Sequence, residues 1–230
     1  MLLEFEPKNA DLHLFLSQMY MNMNQFDDAL REAEKASQLR PGSAAVYLHQ
    51  AMLAEKADKK KEAIEYYKQA VKLDKKNHVI CNNLAMLLEK QGNRKEAITY
   101  YKQAVELNPS NVGYHTNLAD AYEKDGQLQQ AAAAYEALVA LDKKNKKAWE
   151  ALAVLQERTK NQPKALAAYQ ALNGLEPKNI FWLQKIAALH EQLGNIAKAR
   201  DTYKAVLDID PKHTQARQKY VDLSKRLVKK

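Results

Sequence analysis

Residues 78–111 read HVICNNLAMLLEKQGNRKEAITYYKQAVELNPSN. Leu84, Leu87 and Leu88 recur at helical spacing, and Gly92-Asn93 permits a left-handed turn. Ala97, Tyr101, Ala104 and Val105 then share one face of a second helix that Asn108-Pro109 stops. The stretch therefore predicts two amphipathic helices joined by a tight turn. The same frame extends in both directions: Pro7, Pro41, Pro109, Pro177 and Pro211 are spaced by 34, 68, 68 and 34 residues, which sets a period of 34. Ala29, Ala63, Ala97, Ala131, Ala165 and Ala199 form an unbroken series in this frame, as do Ser17, Ala51, Ala85, Ala119, Ala153 and Ala187. Tyr67, Tyr101, Tyr135, Tyr169 and Tyr203 make a third series, broken in the first copy by Ala33, and Leu39, Leu73, Leu107, Leu141, Leu175 and Ile209 a fourth. Where the two helices cross, a side chain larger than Ala would hold the axes apart, so the small residues permit close approach and the tyrosine fills the gap beside them.

Composition agrees with a folded repeat array. At 28% charged and 46% hydrophobic, with six Gly and six Pro in 230 residues, the chain is too regular for a disordered tail. No apolar run approaches the roughly 18 residues of a membrane span, and Met1 to Phe5, interrupted by Glu4, is too short for a signal peptide. The single Cys81 excludes an internal disulfide framework and leaves the compartment open. The net charge of +8 is uneven: residues 1–77 carry 12 basic and 12 acidic side chains, 78–145 carry 7 and 8, and 146–230 carry 17 and 8.

A 34-residue helix-turn-helix with these small, aromatic and proline places resembles the tetratricopeptide repeat family across residues 10–213. Trp149 supplies the family's aromatic at the fourth place and Tyr47 is close to it, while His13, Cys81, His115 and Leu183 depart from it. The resemblance implies an all-α, right-handed α-solenoid with repeats at 10–43, 44–77, 78–111, 112–145, 146–179 and 180–213. Residues 214–230, with Tyr220, Leu223 and Leu227 on one stripe, are expected to form a helix that caps the last repeat. Leu2, Leu3 and Phe5 sit where a preceding second helix would place its apolar residues, so residues 1–9 are expected to be the remnant of an earlier repeat or an N-terminal extension.

Catalytic chemistry finds no support. His190-Glu191 opens like a zinc-protease helix, but Gly194 stands where the second histidine belongs; His78 and Cys81 are one turn apart without further ligands nearby. There is no glycine-rich phosphate loop, nucleophile elbow or paired-carboxylate signature. The expectation is a protein without enzymatic activity, cofactor, metal or small-molecule substrate.

In the family the first helices line a concave wall where extended peptides or partner helices bind. The sixth places here are Phe15, His49, Asn83, Asn117, Ala151 and Lys185. An asparagine there can both donate to and accept from a peptide backbone, so Asn83 and Asn117, with Asn82 adjacent, are expected to form a short ladder of exposed amides. The family's carboxylate clamp is not completed: around Asn83 stand Leu48, Met52, Gly113 and Asn117, and a frame centred on Asn117 offers only Lys147 as a match. Met52 and Met86, with Leu14 and Leu48 close by and Asp120 on the same wall, are expected to offer an adaptable apolar surface, whereas Met19 and Met23 are expected to fill core gaps. Glu55, Glu89, Glu123, Glu157 and Glu191 stand at the twelfth place, mostly followed by a basic residue; a neutral, solvated face is expected, the alternative being an acidic row that meets a basic partner, with Glu55, Glu89 and Glu123 counted to the groove. The function expected is a scaffold holding a segment of another protein along the first four copies. The alternative is a polyanion-binding module using the basic last third; it is disfavoured because no aromatic follows Tyr220 to stack on bases. A cytoplasmic protein is expected, or a periplasmic or membrane-anchored one if further sequence precedes residue 1.

Overall fold

The computed structural model describes residues 7–228; the expectations placed on Leu2, Leu3 and Phe5, and on the last two residues of the 214–230 helix, lie outside it. Every regular element among the described residues is a helix: α1 (Ala10–Asn22), α2 (Phe26–Leu39), α3 (Ala44–Lys56), α4 (Lys60–Leu73), α5 (His78–Lys90), α6 (Arg94–Leu107), α7 (Val112–Lys124), α8 (Leu128–Leu141), α9 (Lys146–Arg158), α10 (Gln162–Leu175), α11 (Ile180–Gln192), α12 (Ile196–Ile209) and α13 (Thr214–Val228). The fold is an all-α solenoid of helix pairs, a 13-residue first helix followed by a 14-residue second one. The chain divides into two compact units, residues 1–121 and 122–230, with the division inside α7.

Most first helices start at a side-chain cap. Asn9, Asn77, Asn145 and Asn179 cap first helices by accepting from backbone N–H groups of the first turn, and Asn111 does the same for the Tyr114 N–H at 3.1 Å. Between the helices of a pair one residue adopts positive φ: Gly92, Gly126 and Gly194, but also Asn24, Asp58 and Lys160, each at φ 58°. That conformation suits Gly and is tolerated by Asn and Asp, whereas Lys160 bears the full Cβ clash.

Both small-residue series are fully buried. Ser17, Ala51, Ala85, Ala119, Ala153 and Ala187 on first helices, and Ala29, Ala63, Ala97, Ala131, Ala165 and Ala199 on second helices, have no exposed surface. In the first pair the Ser17 hydroxyl also donates to the Ala29 carbonyl at 2.7 Å, so the one polar member of the series is satisfied. Two departures at the fourth place, His13 and His115, share a solution with the conforming Trp149. His13 Nε2, His115 Nε2 and Trp149 Nε1 hydrogen-bond the carbonyl six residues back, of Pro7, Pro109 and Lys143, at 3.1, 2.9 and 3.0 Å. Cys81 instead buries its thiol against Ala104 and Tyr114.

In the second unit α13 lays Ala216 and Leu223 into a cluster with Leu183, Ala187, Ala199, Tyr203 and Val206, with Tyr220 packed at its edge. Removing residues 214–230 would expose that cluster, so the truncated chain is expected to aggregate at concentrations where the full chain stays dispersed, as light scattering would register. Lys160→Gly is expected to raise stability by about 0.5 to 1 kcal/mol in thermal or urea unfolding, because it removes the steric cost of the left-handed conformation. A destabilised glycine variant would contradict this account of the turn.

Candidate functional site

In the first unit, Met52, Glu55 and Lys56 on α3, Tyr67 on α4, and Asn83 and Met86 on α5 line a cleft of about 320 Å³. Four of these residues are on the wall that the frame assigns to a ligand. Met52 and Met86 are exposed thioethers, whereas the Tyr67 ring is fully buried at the cleft floor. The Asn83 amide lines the cleft beside the Tyr67 phenol and is close enough to lower its proton affinity slightly. Tyr67 in turn donates to Glu55 Oε2 at 3.4 Å, and Lys90 Nζ of the following pair meets Glu55 Oε1 at 3.1 Å.

This tyrosine-to-glutamate hydrogen bond recurs. Tyr101 donates to Glu89 at 2.9 Å, Tyr135 to Glu123 at 3.2 Å, Tyr169 to Glu157 at 3.0 Å and Tyr203 to Glu191 at 3.0 Å. Cations of the next pair complete the node: Lys185 reaches Glu157 at 2.9 Å, Lys219 reaches Glu191 at 3.0 Å, and Arg158 lies 3.9 Å from Glu123. The glutamates are thus partly exposed and paired with cations, and are also held by phenols, which the expectation of a solvated face did not include. The phenol and the neighbouring cation compensate a carboxylate that opposes the helix dipole. Sequence reading registered both series and missed the link between them, although the constant separation of 12 residues was visible.

The asparagine ladder is corrected. Asn82 is only 8% exposed, its carbonyl accepts from Asn117 Nδ2 at 2.9 Å, and its own amide meets the Met86 sulfur at 3.3 Å. Asn82 and Asn117 thus satisfy one another, and of the three amides only Asn83 lines the cleft. His49 is half-buried and hydrogen-bonded to the Ser17 hydroxyl at 2.9 Å. Burial lowers the proton affinity of its ring. Leu14, Leu48 and Asp120 are half-buried, with Asp120 near the Tyr101 phenol. Met19 and Met23, expected in the core, are 46% and 61% exposed and follow exposed Phe15 along α1 at four-residue intervals. Surface thioethers on that helix were not legible from period alone, since both faces of α1 carry apolar residues.

Among the described residues no group of three or more His, Cys, Asp or Glu is placed to hold a metal ion, and no helix is long and apolar enough to cross a membrane. His78 Nδ1 hydrogen-bonds the Tyr114 phenol at 2.8 Å. Burial, with a contribution from Asp74, pushes the Cys81 thiol up to about 11, far from a reactive thiolate.

Burial first, and the adjacent glutamate second, raise the phenols of Tyr67, Tyr101, Tyr169 and Tyr203 well above the ordinary tyrosine range. The folded chain therefore holds these protons more tightly than the unfolded chain. Stability from this source is complete below the unfolded tyrosine pKa of about 10 and is lost as pH rises beyond it. Tyr101→Phe is expected to cost about 1 to 2 kcal/mol at pH 7 and to make the decline of melting temperature above pH 10 shallower. An unchanged alkaline slope would show that this phenol does not titrate on unfolding.

One tetratricopeptide repeat model matches residues 6–78, 82–146 and 116–180, and a second matches 183–213. No curated protein matches the chain. Among solved structures, YrrB, described as a TPR protein with an unusual peptide-binding site, is 19% identical with a TM-score of 0.57, over 81% of this chain and 96% of that one. The C-terminal part of a TPR repeat-containing protein from Cytophaga hutchinsonii is 18% identical with a TM-score of 0.64, over 94% and 90%. The Naa15/Naa10 complex bound to HypK-THB contains a chain 19% identical with a TM-score of 0.65, of which 35% is covered by 97% of this chain. At these identities the likeness is one of fold.

Proposed function

The chain belongs to the tetratricopeptide repeat family, whose fold is typically a non-catalytic protein-interaction scaffold, and we propose that it holds an extended or helical segment of another protein on the first-helix face of residues 1–121. The observation that carries this reading is the cleft between α3 and α5. It combines two exposed, adaptable thioethers with an amide beside Tyr67 and a carboxylate at the rim. Met52 and Met86 would accept an apolar side chain of varied shape, while Asn83 would meet the backbone beside it. The equivalent place at Glu157 in the second unit is occupied by charge. Lys185 lies against Glu157 and over the rings of Tyr169 and Phe181, at 5.5 and 5.9 Å from their centroids. A node with that ion pair offers no neutral amide, which favours the first unit. YrrB, with its peptide-binding site, supplies a precedent on the same fold.

The test uses a partner recovered with the full chain from its native host and identified by mass spectrometry. Met52→Ser with Met86→Ser and Asn83→Ala is expected to weaken that partner at least tenfold while circular dichroism stays unchanged. Affinity should survive moderate salt. Unchanged affinity in the triple variant, or a steep linear fall with log salt, would refute the reading in favour of charge-driven binding.

A further inference from the structure

The second helices carry an internal comparison. At the twenty-third place of the frame stand Glu32, Tyr66, Tyr100, Ala134, Ala168 and Thr202. In the first unit Tyr66 on α4 and Tyr100 on α6 are half-buried. Burial raises the Tyr66 phenol first, and Glu34 on α2 and Tyr47 on α3 are close enough to act on it as well. Tyr100 likewise responds first to burial, and also to Lys68 on α4 and Cys81 on α5. Both half-buried rings stand at the frame place that, in the second unit, borders the crevice between two successive second helices.

In the second unit that place carries no ring. Between α8 and α10, over α9, lies a cleft of about 550 Å³ whose floor includes the buried Ala168 at the tyrosine's frame place. Trp149 and Glu136 line it from the frame places of Tyr47 and Glu34, and Leu152 and Val139 add apolar wall. Ala140 and Ala171, also in the lining, stand where earlier copies carry Gln38, Lys72 and Glu106, and Lys35, Gln69 and Gln103. One pair further on, where Thr202 takes the place, the crevice is again open, at about 400 Å³. Tyrosine at this place in the first unit thus corresponds to a cleft beside it in the second.

We propose that the cleft over Trp149 receives an aromatic side chain from a partner protein, presented on a segment with carboxylates on either side. The chain's own Tyr66 and Tyr100 stand at the frame place of Ala168. The volume is within the range of about 300 to 1,000 Å³ typical of binding pockets, and a deep aromatic anchor is the usual centre of a small interface. Charge identifies the flanks. Residues 122–230 carry 20 basic and 12 acidic side chains, whereas residues 1–121 carry 16 of each, so the whole excess lies with this unit. Lys143 is exposed at the rim, and Lys164 spans it to Glu136 at 2.8 Å. This site is separate from the cleft of Met52 and Met86 and does not depend on it.

The experiment titrates the full chain with a fluorescein-labelled nine-residue peptide, one central Phe between two runs of four Glu, read by anisotropy and by the Trp149 indole N–H resonance. Saturable binding is expected, weakened at least tenfold when the central Phe is Ala. Ala168→Tyr, which restores the residue of the second and third copies, is expected to abolish binding and raise the melting temperature. Ala140→Gln with Ala171→Gln, again residues of other copies, is expected to weaken binding at least tenfold. Met52→Ser with Met86→Ser should leave it within twofold. Absence of saturable binding at millimolar peptide, equal binding of the Ala peptide, or full binding by both cleft-filling variants would each overturn the proposal. Competition by a single-stranded oligonucleotide that persists in Ala168→Tyr would replace it with a charge-only surface. Self-association of the unliganded chain that Ala168→Tyr abolishes would overturn it in favour of a second copy as occupant.

Discussion

The close crossing of the two helices in each pair is the constraint on which the rest depends. Twelve positions, Ser17 and eleven alanines, have no exposed surface. Any larger side chain there would separate axes that approach closely only because Cβ is the outermost atom on both sides. Closeness at the crossing has a consequence at the open end of the pair. It allows a tyrosine four residues further along the second helix to reach back to a glutamate in the last turn of the first, at 2.9 to 3.4 Å.

That hydrogen bond joins packing to electrostatics. The glutamates sit where the helix dipole disfavours negative charge, yet each is held by a phenol, and those at Glu55, Glu123, Glu157 and Glu191 also face a cation from the following pair. The cation varies in origin. Lys90 and Arg158 come from the place after their own glutamate, whereas Lys185 and Lys219 come from the sixth place. Where the sixth place is Asn83 the node stays neutral on that side, and the cleft beside it remains lined by thioethers. A structural interaction within each pair thus sets the charge at each node.

The two units differ in ways that the shared frame makes easy to compare. The first is charge-balanced and carries Tyr66 and Tyr100 at a place of its second helices where the second, which is basic, carries Ala168 and Thr202 beside open clefts. Such local departures from a repeat matter because neighbouring copies act as built-in controls. The same backbone environment, with one side chain changed, shows what the change does.

Period, helix pairs, the left-handed turn and the buried small residues were all legible in the sequence, because each follows from local geometry repeated at a fixed interval. The 12-residue offset between glutamate and tyrosine was present in the same rows, yet a contact between two helices is no property of either one alone. The pairing of Asn82 with Asn117, the exposure of Met19 and Met23, and the half-buried hydrogen bond of His49 depend on how one pair leans on the next. Sequence period determined which residues share a helix face. Only the tertiary structure decided which of those faces met another helix and which were left to solvent, because burial is set by the neighbour's shape and side chains rather than by the residue's own place in the repeat.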